Sequence, residues 1–85
     1  MIRVVLVDDQ AVIRAGFRIL LEENEDITVV GEASGGREAV RVVRATQPDV
    51  VCMDLRMTEG DGLTATRQIV SEREGGTPSV LVVTT

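Results

Sequence analysis

The sequence predicts an α/β fold, a doubly wound parallel sheet, from two observations. Short apolar runs rich in β-branched residues alternate with segments whose apolar residues recur every three or four positions. Such alternation is typical of parallel strands joined by right-handed helical crossovers, with helices on both faces of the sheet. Two of the apolar runs end in aspartates, at the edge where open parallel sheets bind ligands. We therefore expect one domain whose functional groups lie at the carboxyl edge of the sheet.

The N-terminal half contains two predicted strands and one predicted helix. Residues 2–7 form an apolar run, broken only by Arg3, that is typical of a buried strand. Residues 11–23 predict a helix, with Asp9 placed to cap its start. Residues 27–33 predict a second strand of mixed composition, which we expect to be less buried. The apolar residues at helical spacing in the first helix, and so on its expected inward face, are Ile13, Gly16, Phe17, Leu20 and Leu21.

The C-terminal half repeats this alternation. Residues 37–46 predict a helix that Ser34 is available to cap and that Gln47-Pro48 ends, because the residue before a proline leaves helical geometry. The remaining predicted elements are a strand at 49–54, a helix at 62–73 and a strand at 79–84. The expected inward residues of these two helices are Ala39, Val40, Val43 and Thr46 in the second, and Leu63, Thr66, Ile69 and Val70 in the third.

Composition narrows the class of protein. Nine basic and fourteen acidic residues give a net charge of −5, which argues against nucleic-acid binding through a basic surface and suits a site that collects a cation. Cys52, the only cysteine, lies in an apolar run and is expected to be a buried hydrophobic residue, since no histidine is present to activate it. No apolar run approaches the roughly 20 residues that span a bilayer, and no signal-peptide pattern is present. We expect a soluble, cytoplasmic chain.

Three aspartates stand at the ends of predicted strands. If the first and third strands are neighbours, Asp8, Asp9 and Asp54 converge, and carboxylates that close repel one another unless a cation lies between them. Mg²⁺ prefers oxygen ligands of this kind. A carboxylate in such a site can attack a phosphoryl group and form an aspartyl phosphate. Thr84, at the end of the next strand, is placed to donate a hydroxyl to a phosphoryl oxygen.

Other interpretations remain open at this point. Taken singly, Asp8 or Asp9 is equally well a helix cap and Asp54 a solvated loop residue, whereas the three together favour a site. A Mg²⁺-dependent phosphatase with an aspartyl nucleophile commonly carries Asp-x-Asp, but Asp54 is followed by Leu55-Arg56. A nucleotide- or flavin-binding module is least favoured, because the glycine pairs at 35–36 and 75–76 form no G-x-G-x-x-G pattern.

The sequence resembles the receiver domain of two-component response regulators, most closely the NarL/FixJ (LuxR-type) family. The segments that carry the resemblance are 5–10 (VLVDDQ), 13–17 (IRAGF), 29–33 (VVGEA), 48–57 (PDVVCMDLRM), 61–67 (DGLTATR) and 83–85 (VTT). The resemblance covers the whole chain. It implies a flavodoxin-like (CheY-like) sheet, with the four strands present here in the order 2-1-3-4.

The resemblance also implies roles for individual residues. Asp54 matches the phosphoacceptor, which takes a phosphoryl group from a sensor histidine kinase. Mg²⁺ is then bound by Asp9, Asp54 and the backbone carbonyl of Arg56, while Asp8 holds the waters of the metal. Thr84 matches the switch hydroxyl, and the Arg56 side chain matches a position that tunes the lifetime of the phosphate. The kinase is expected to dock at the start of the first helix, on a face that includes Gln10, Ala11 and Arg14.

Two departures from the family pattern are visible. Thr58 stands where the family usually has a proline. Residues 1–85 also match only part of a receiver domain, because the fifth strand, its lysine and the last helices have no counterpart. We thus expect a C-terminally truncated receiver domain, from a regulator that contacts DNA only through an absent helix-turn-helix. We expect a phosphoacceptor that is not an enzyme and forms a homodimer, with a non-phosphorylated dimerisation module as the alternative.

Overall fold

Four parallel strands form the sheet in the residues that the computed structural model describes, 1–57 and 62–83. The strands are β1 (Ile2–Val7), β2 (Ile27–Ala33), β3 (Val50–Asp54) and β4 (Ser79–Val83), in the order β2-β1-β3-β4. The helices are α1 (Ala11–Glu22), α2 (Gly36–Thr46) and α3 (Gly62–Glu72). The predicted fold class and strand order are confirmed, and each predicted element is present within two residues of its expected ends.

The register of the sheet aligns the carboxyl ends of its strands. Val7 of β1 pairs with Met53 of β3, and Asp54 pairs with Val83 of β4. On the other side of β1, Val7 pairs with Ala33 of β2. Because the central strands end level with each other, the residues that follow β1 lie beside the last residue of β3. This alignment creates the polar edge on which the candidate site is built.

The larger part of the core lies between the sheet and the helices α2 and α3. Its buried residues are Val5, Val7, Ala33, Ala39, Val40, Val43, Val51, Met53, Ala65 and Ile69. The predicted inward face of α2 is confirmed at its three aliphatic positions. Thr46 is only half-buried, and its hydroxyl donates to the carbonyl of Val42 at 2.7 Å. The edge strand β2 is less buried than β1, as its composition predicts.

The inward face of α3 differs from the prediction. Leu63 and Val70 are 45% and 37% exposed, whereas Ala65, which was not predicted to face inward, is buried; Ile69 is buried as predicted. The reason is a close approach at the start of the helix, where Gly62 lies against the backbone of Asp54. Beyond this start α3 packs mainly against α2 and makes few contacts with the strands, and the small side chain of Ala65 lies in the core there. Thr66 is half-buried and bonds its own helix at Gly62.

The opposite face of the sheet is covered by α1. Val4, Leu6 and Val29 are buried there, with Phe17 and Leu21 of α1 half-buried against them. The predicted inward positions Ile13, Gly16 and Leu20 are exposed, so that part of the prediction is wrong. In the described part of the chain α1 is the sole helix on this face, and it covers β1 and β2. The apolar face of α1 is therefore wider than the part of it that contacts the sheet.

Both predicted helix caps are also wrong. Gln10 occupies the N-cap of α1 and Gly35 that of α2, and neither forms a side-chain capping bond. Ser34 instead donates its N–H and its hydroxyl to Glu38 Oε1, at 2.6 and 3.3 Å. This bond to Ser34 N–H holds the pKa of the Glu38 carboxyl below its usual range. The predicted end of α2 is confirmed, because Gln47 turns left-handed with a φ of 48°.

Candidate metal centre

Three carboxylates meet at the carboxyl edge of the sheet, as the strand ends predict. Asp8 and Asp9 follow β1, and Asp54 ends β3, which pairs with β1. One oxygen atom from each side chain lies within 4.8 Å of the other two, and all three residues are half-buried. The donor set consists of oxygen atoms alone, and the partial exposure leaves room for water. Both features suit Mg²⁺, which takes oxygen ligands and keeps several waters.

Backbone amides orient two of these carboxylates in the same manner. Gln10 N–H donates to Asp8 Oδ1 at 2.8 Å, and Arg56 N–H donates to Asp54 Oδ1 at 2.9 Å. In each case the donor lies two residues after the aspartate, the geometry of an Asx turn. Each carboxylate thus has one oxygen fixed by the chain that follows its strand.

The backbone of Asp8 is held by two further elements. Its N–H donates to the carbonyl of Ala33 at the end of β2, at 3.1 Å. Its carbonyl accepts a bond from Arg14 Nη1 on α1, at 2.5 Å. Arg14 Nε in turn donates to Glu32 Oε1 on β2 at 3.0 Å. The position of Asp8 therefore depends on α1 and β2 as well as on its own strand.

Glu32 is the centre of a small ion-pair network. Its carboxylate bonds Arg18 Nη1 at 2.6 Å as well as Arg14, and Arg18 Nε reaches Glu22 Oε1 at 3.2 Å. The bond from Arg18, with a further bond from Arg14, lowers the pKa of Glu32 from its ordinary value, against a partial burial that opposes it. This network was not predicted from the sequence. The sequence feature that could have indicated it is the pair Arg14 and Arg18, four residues apart on a predicted helix, together with the acidic Glu32 in a predicted strand.

Gly62 forms a second feature that was not predicted from the sequence. A Cβ atom at this position would lie 2.5 Å from the carbonyl oxygen of Asp54 and 3.0 Å from the Cα of Leu55. Neither backbone atom can move away without displacing the end of β3. Only a glycine therefore lets α3 begin directly against the strand that carries Asp54. The sequence feature that could have indicated this close approach is the glycine at the predicted start of the helix.

The remaining predicted site residues lie around the three carboxylates or outside the described residues. Arg56 uses its N–H on Asp54 and has an exposed side chain. Gln10 and Ala11 are exposed at the start of α1, whereas Arg14 is half-buried. Thr84 and Thr58 lie outside the described residues. Cys52 is half-buried on β3 and so less buried than predicted, and its partial burial raises the pKa of its thiol.

Comparison with known proteins identifies the family. The sequence pattern described as response regulator receiver domain matches residues 4–85. The chain belongs to the response regulator receiver domain family. Among curated relatives, this receiver domain is 48% identical over 84 residues to the transcriptional regulatory protein LiaR of Bacillus subtilis, covering 99% of this chain and 39% of LiaR.

Solved structures show the same fold. A LuxR-family two-component response regulator from Aurantimonas is 39% identical, with a TM-score of 0.89 over 99% of this chain and 59% of that one. The receiver domain of the putative response regulator NarL from Mycobacterium tuberculosis is 33% identical, with a TM-score of 0.86 over 98% and 65%. The chain thus spans about two fifths of the length of LiaR and about three fifths of these structures.

The helices do not match the dimensions of a bilayer. Within residues 1–57 and 62–83, none of them is both long enough and apolar enough to cross a membrane.

Proposed function

We propose that this receiver domain is a phosphoacceptor, in which Asp54 takes a phosphoryl group from a sensor histidine kinase in the presence of Mg²⁺. The observation that carries the proposal is the convergence of Asp8, Asp9 and Asp54 within 4.8 Å at the ends of neighbouring strands. Such a cluster concentrates negative charge where a cation and a phosphoryl group can be held together. Membership of the receiver family supports the same assignment.

We divide the work among the residues as the resemblance to the family implies. Asp9, Asp54 and the carbonyl of Arg56 would hold the metal, and Asp8 would hold its waters. When bound, Mg²⁺ supplies positive charge that offsets the negative charge of the phosphoryl oxygens. Because Arg56 N–H bonds Asp54 Oδ1, we assign the attack to Asp54 Oδ2. The phosphorus–nitrogen bond of the kinase phosphohistidine breaks, a phosphorus–oxygen bond to Oδ2 forms, and the departing imidazole nitrogen takes up a proton.

The signal would leave the site through the end of β4. Val83 pairs with Asp54, so the residue after it, Thr84, follows the strand next to the acceptor. We assign to Thr84 the switch hydroxyl, and to the Arg56 side chain the tuning of the phosphate lifetime. The start of α1, where Gln10 and Ala11 are exposed and Arg14 is half-buried, is the proposed kinase-docking face. As the receiver of a cytoplasmic regulator, the chain would control transcription through an output domain that binds DNA.

Mass spectrometry of the intact chain tests this function. Incubation with Mg²⁺ and acetyl phosphate should add one base-labile phosphoryl group to the wild type and none to Asp54→Asn. Asp49→Asn is the matched control, since it removes the same charge at the opposite end of β3, where Asp49 bonds Arg3 N–H at 2.8 Å. This control should be phosphorylated like the wild type. A folded wild type that gains no phosphoryl group would refute the proposal.

A second candidate function is a dimerisation module that is never phosphorylated. The observation that favours it is the exposed apolar surface on α1 and β4, where Ile19, Leu20 and Leu81 are 65%, 64% and 57% exposed. A homodimer is compatible with both functions. Only the second predicts that the dimer forms equally well with and without Mg²⁺ and phosphodonor, and that no phosphoryl group is ever bound.

A further inference from the structure

The side chain of Arg14 connects the acidic edge to the neighbouring strand. It is only 18% exposed, and its guanidinium is held at two points: Nη1 donates to the carbonyl of Asp8 at 2.5 Å and Nε donates to Glu32 Oε1 at 3.0 Å. A guanidinium is planar, so two bonds to atoms on different elements fix its orientation. Such a group holds the two elements in one relative position.

We propose that Arg14 is a positioning residue for the metal centre, which it serves by fixing the peptide unit between Asp8 and Asp9. This inference rests on the Mg²⁺ site of the proposed function. The carbonyl that Arg14 bonds belongs to the planar unit that joins these two residues. Rotation of that unit would move both carboxylates relative to Asp54. The bond from Arg14 therefore acts on the whole cluster.

Arg14 bonds the carbonyl of Asp8, which the other described bonds to this residue do not contact. The N–H of Asp8 is held by Ala33, and its Oδ1 by Gln10 N–H. The bond from Gln10 N–H closes an Asx turn around the peptide unit between Asp8 and Asp9 and so limits its rotation, but neither bond is made to the carbonyl itself, which the guanidinium of Arg14 holds. Without the guanidinium, the carbonyl loses its bond from α1, and the peptide unit that leads to Asp9 is less constrained.

The charge of Arg14 has an opposite effect on a cation. A positive group beside three carboxylates competes with Mg²⁺, so its charge alone would weaken metal binding. Glu32 pairs with this charge, and the bonds from Arg18 and then from Arg14 hold the pKa of its carboxyl below its ordinary value. The two effects differ in sign, and removal of Arg14 therefore distinguishes them. Loss of a competing charge tightens binding, whereas loss of a positioning bond weakens it.

Calorimetric titration of the 85-residue chain with Mg²⁺ tests the proposal. The matched control is Arg18→Gln, because Arg18 bonds the same Glu32 carboxylate at 2.6 Å from the next turn of α1. It removes one positive charge, as Arg14→Gln does, but no bond to Asp8. We expect Arg14→Gln to weaken Mg²⁺ binding about 10-fold, the usual cost of removing an outer-shell partner of a metal ligand. We expect Arg18→Gln to leave it unchanged.

Arg14→Lys separates geometry from charge and serves where Arg14→Gln fails to fold. It keeps the positive charge but cannot bond Asp8 and Glu32 with a planar fork, so it should also weaken binding. A second readout is the amide NMR signal of Asp9 without metal, which should shift in both Arg14 variants and stay in place in Arg18→Gln.

Four results would overturn the inference. Tighter binding by Arg14→Gln would mean that only charge matters. Unchanged affinity with a lower melting temperature would mean that Arg14 merely attaches α1 to the sheet. Normal binding by a folded Arg14→Lys would show that the fork is not needed. A wild type that binds no Mg²⁺ would refute the proposed function as well, whereas the other three results leave that function intact.

Discussion

Asp8 and Asp54 occupy equivalent positions at the ends of neighbouring strands and use the same bond to the amide two residues on. The sequence predicts their convergence, because parallel strands end at one edge. It does not predict the arginine that holds Asp8, since that bond exists only once α1 is packed beside β2. Nor does it predict the need for Gly62, which depends on how close α3 approaches Asp54. The positions of the aspartates could be predicted from their place along the chain, but the residues that hold them in place, Arg14 and Gly62, could not.

Gly62→Ala should destabilise the protein by about 1–3 kcal/mol, the usual cost of forcing extra volume into a packed contact. The added Cβ would lie 2.5 Å from the carbonyl oxygen of Asp54, which cannot give way cheaply. Gly16→Ala is the control, because a Cβ added at Gly16 in α1 would have nothing within 4 Å of it. It should stabilise the chain by about 0.5–1 kcal/mol. Urea unfolding of both variants measures this, and equal effects would contradict the close approach.

The ion pairs of Glu32 give the stability a defined dependence on pH. The pKa of Glu32 is lower in the folded chain than in the unfolded one, so the unfolded state binds the proton more readily. The stabilisation is present above the unfolded pKa, about 4.3, and is lost as the pH falls through the lower folded value. Because the pairs are partly exposed, we expect it to be less than about 1 kcal/mol.

Urea unfolding at neutral pH and below about pH 4, just under the unfolded pKa, tests this dependence in Glu32→Gln. The difference between wild type and variant should shrink as the pH falls. The exposed Glu25, changed to Gln, is the control for the loss of a glutamate charge at the surface. A gap between wild type and Glu32→Gln that stays constant over this range would contradict the assignment.

At the scale of elements, the predicted strands were accurate and the predicted helix faces less so. Apolar runs with β-branched residues marked β1 and β2 to the residue. In α1 and α3 the largest apolar residues were expected to face inward, yet Leu20 and Leu63 are exposed. Periodicity identifies an apolar face but not which row of it contacts the sheet. That choice depends on the distance to the strands and on the neighbouring elements, which a local pattern does not contain.

The contact face of α3 can be tested by one substitution at a buried position and one at an exposed position of this helix. Ala65 is 3% exposed and Leu63 is 45% exposed. Ala65→Leu should cost about 1–3 kcal/mol through overpacking, while Leu63→Ala should change stability by about 0.5 kcal/mol or less. Thermal or urea unfolding of the two variants measures the difference. The reverse order of effects would mean that α3 faces the sheet with Leu63.

At the scale of the whole molecule, the two faces of the sheet are covered unequally. The face of α2 and α3 carries the main core, whereas on the face of α1 the half formed by β3 and β4 carries Cys52, half-buried, and Leu81, 57% exposed. These two residues pair across β3 and β4 and so lie on the same face. An apolar surface next to exposed residues of α1 is a natural contact for a second copy.

Sedimentation velocity tests the proposed homodimer at this surface. Leu81→Lys should shift the chain toward monomer, because it places a charge in the apolar contact. Ala45→Lys, at an exposed position of α2 on the other side of the sheet, should leave the association unchanged. If both variants associate like the wild type, the dimer uses another surface.

The central claim is that Asp54, among three adjacent carboxylates, is the one that accepts the phosphoryl group. Borohydride reduces an aspartyl phosphate to homoserine, and fragmentation of the digested chain then locates the modified residue. After treatment with Mg²⁺ and acetyl phosphate, we expect homoserine at position 54 and unmodified Asp8 and Asp9, with no conversion when Mg²⁺ is removed by a chelator. Homoserine at position 8 or 9, or equal conversion without Mg²⁺, would contradict the account.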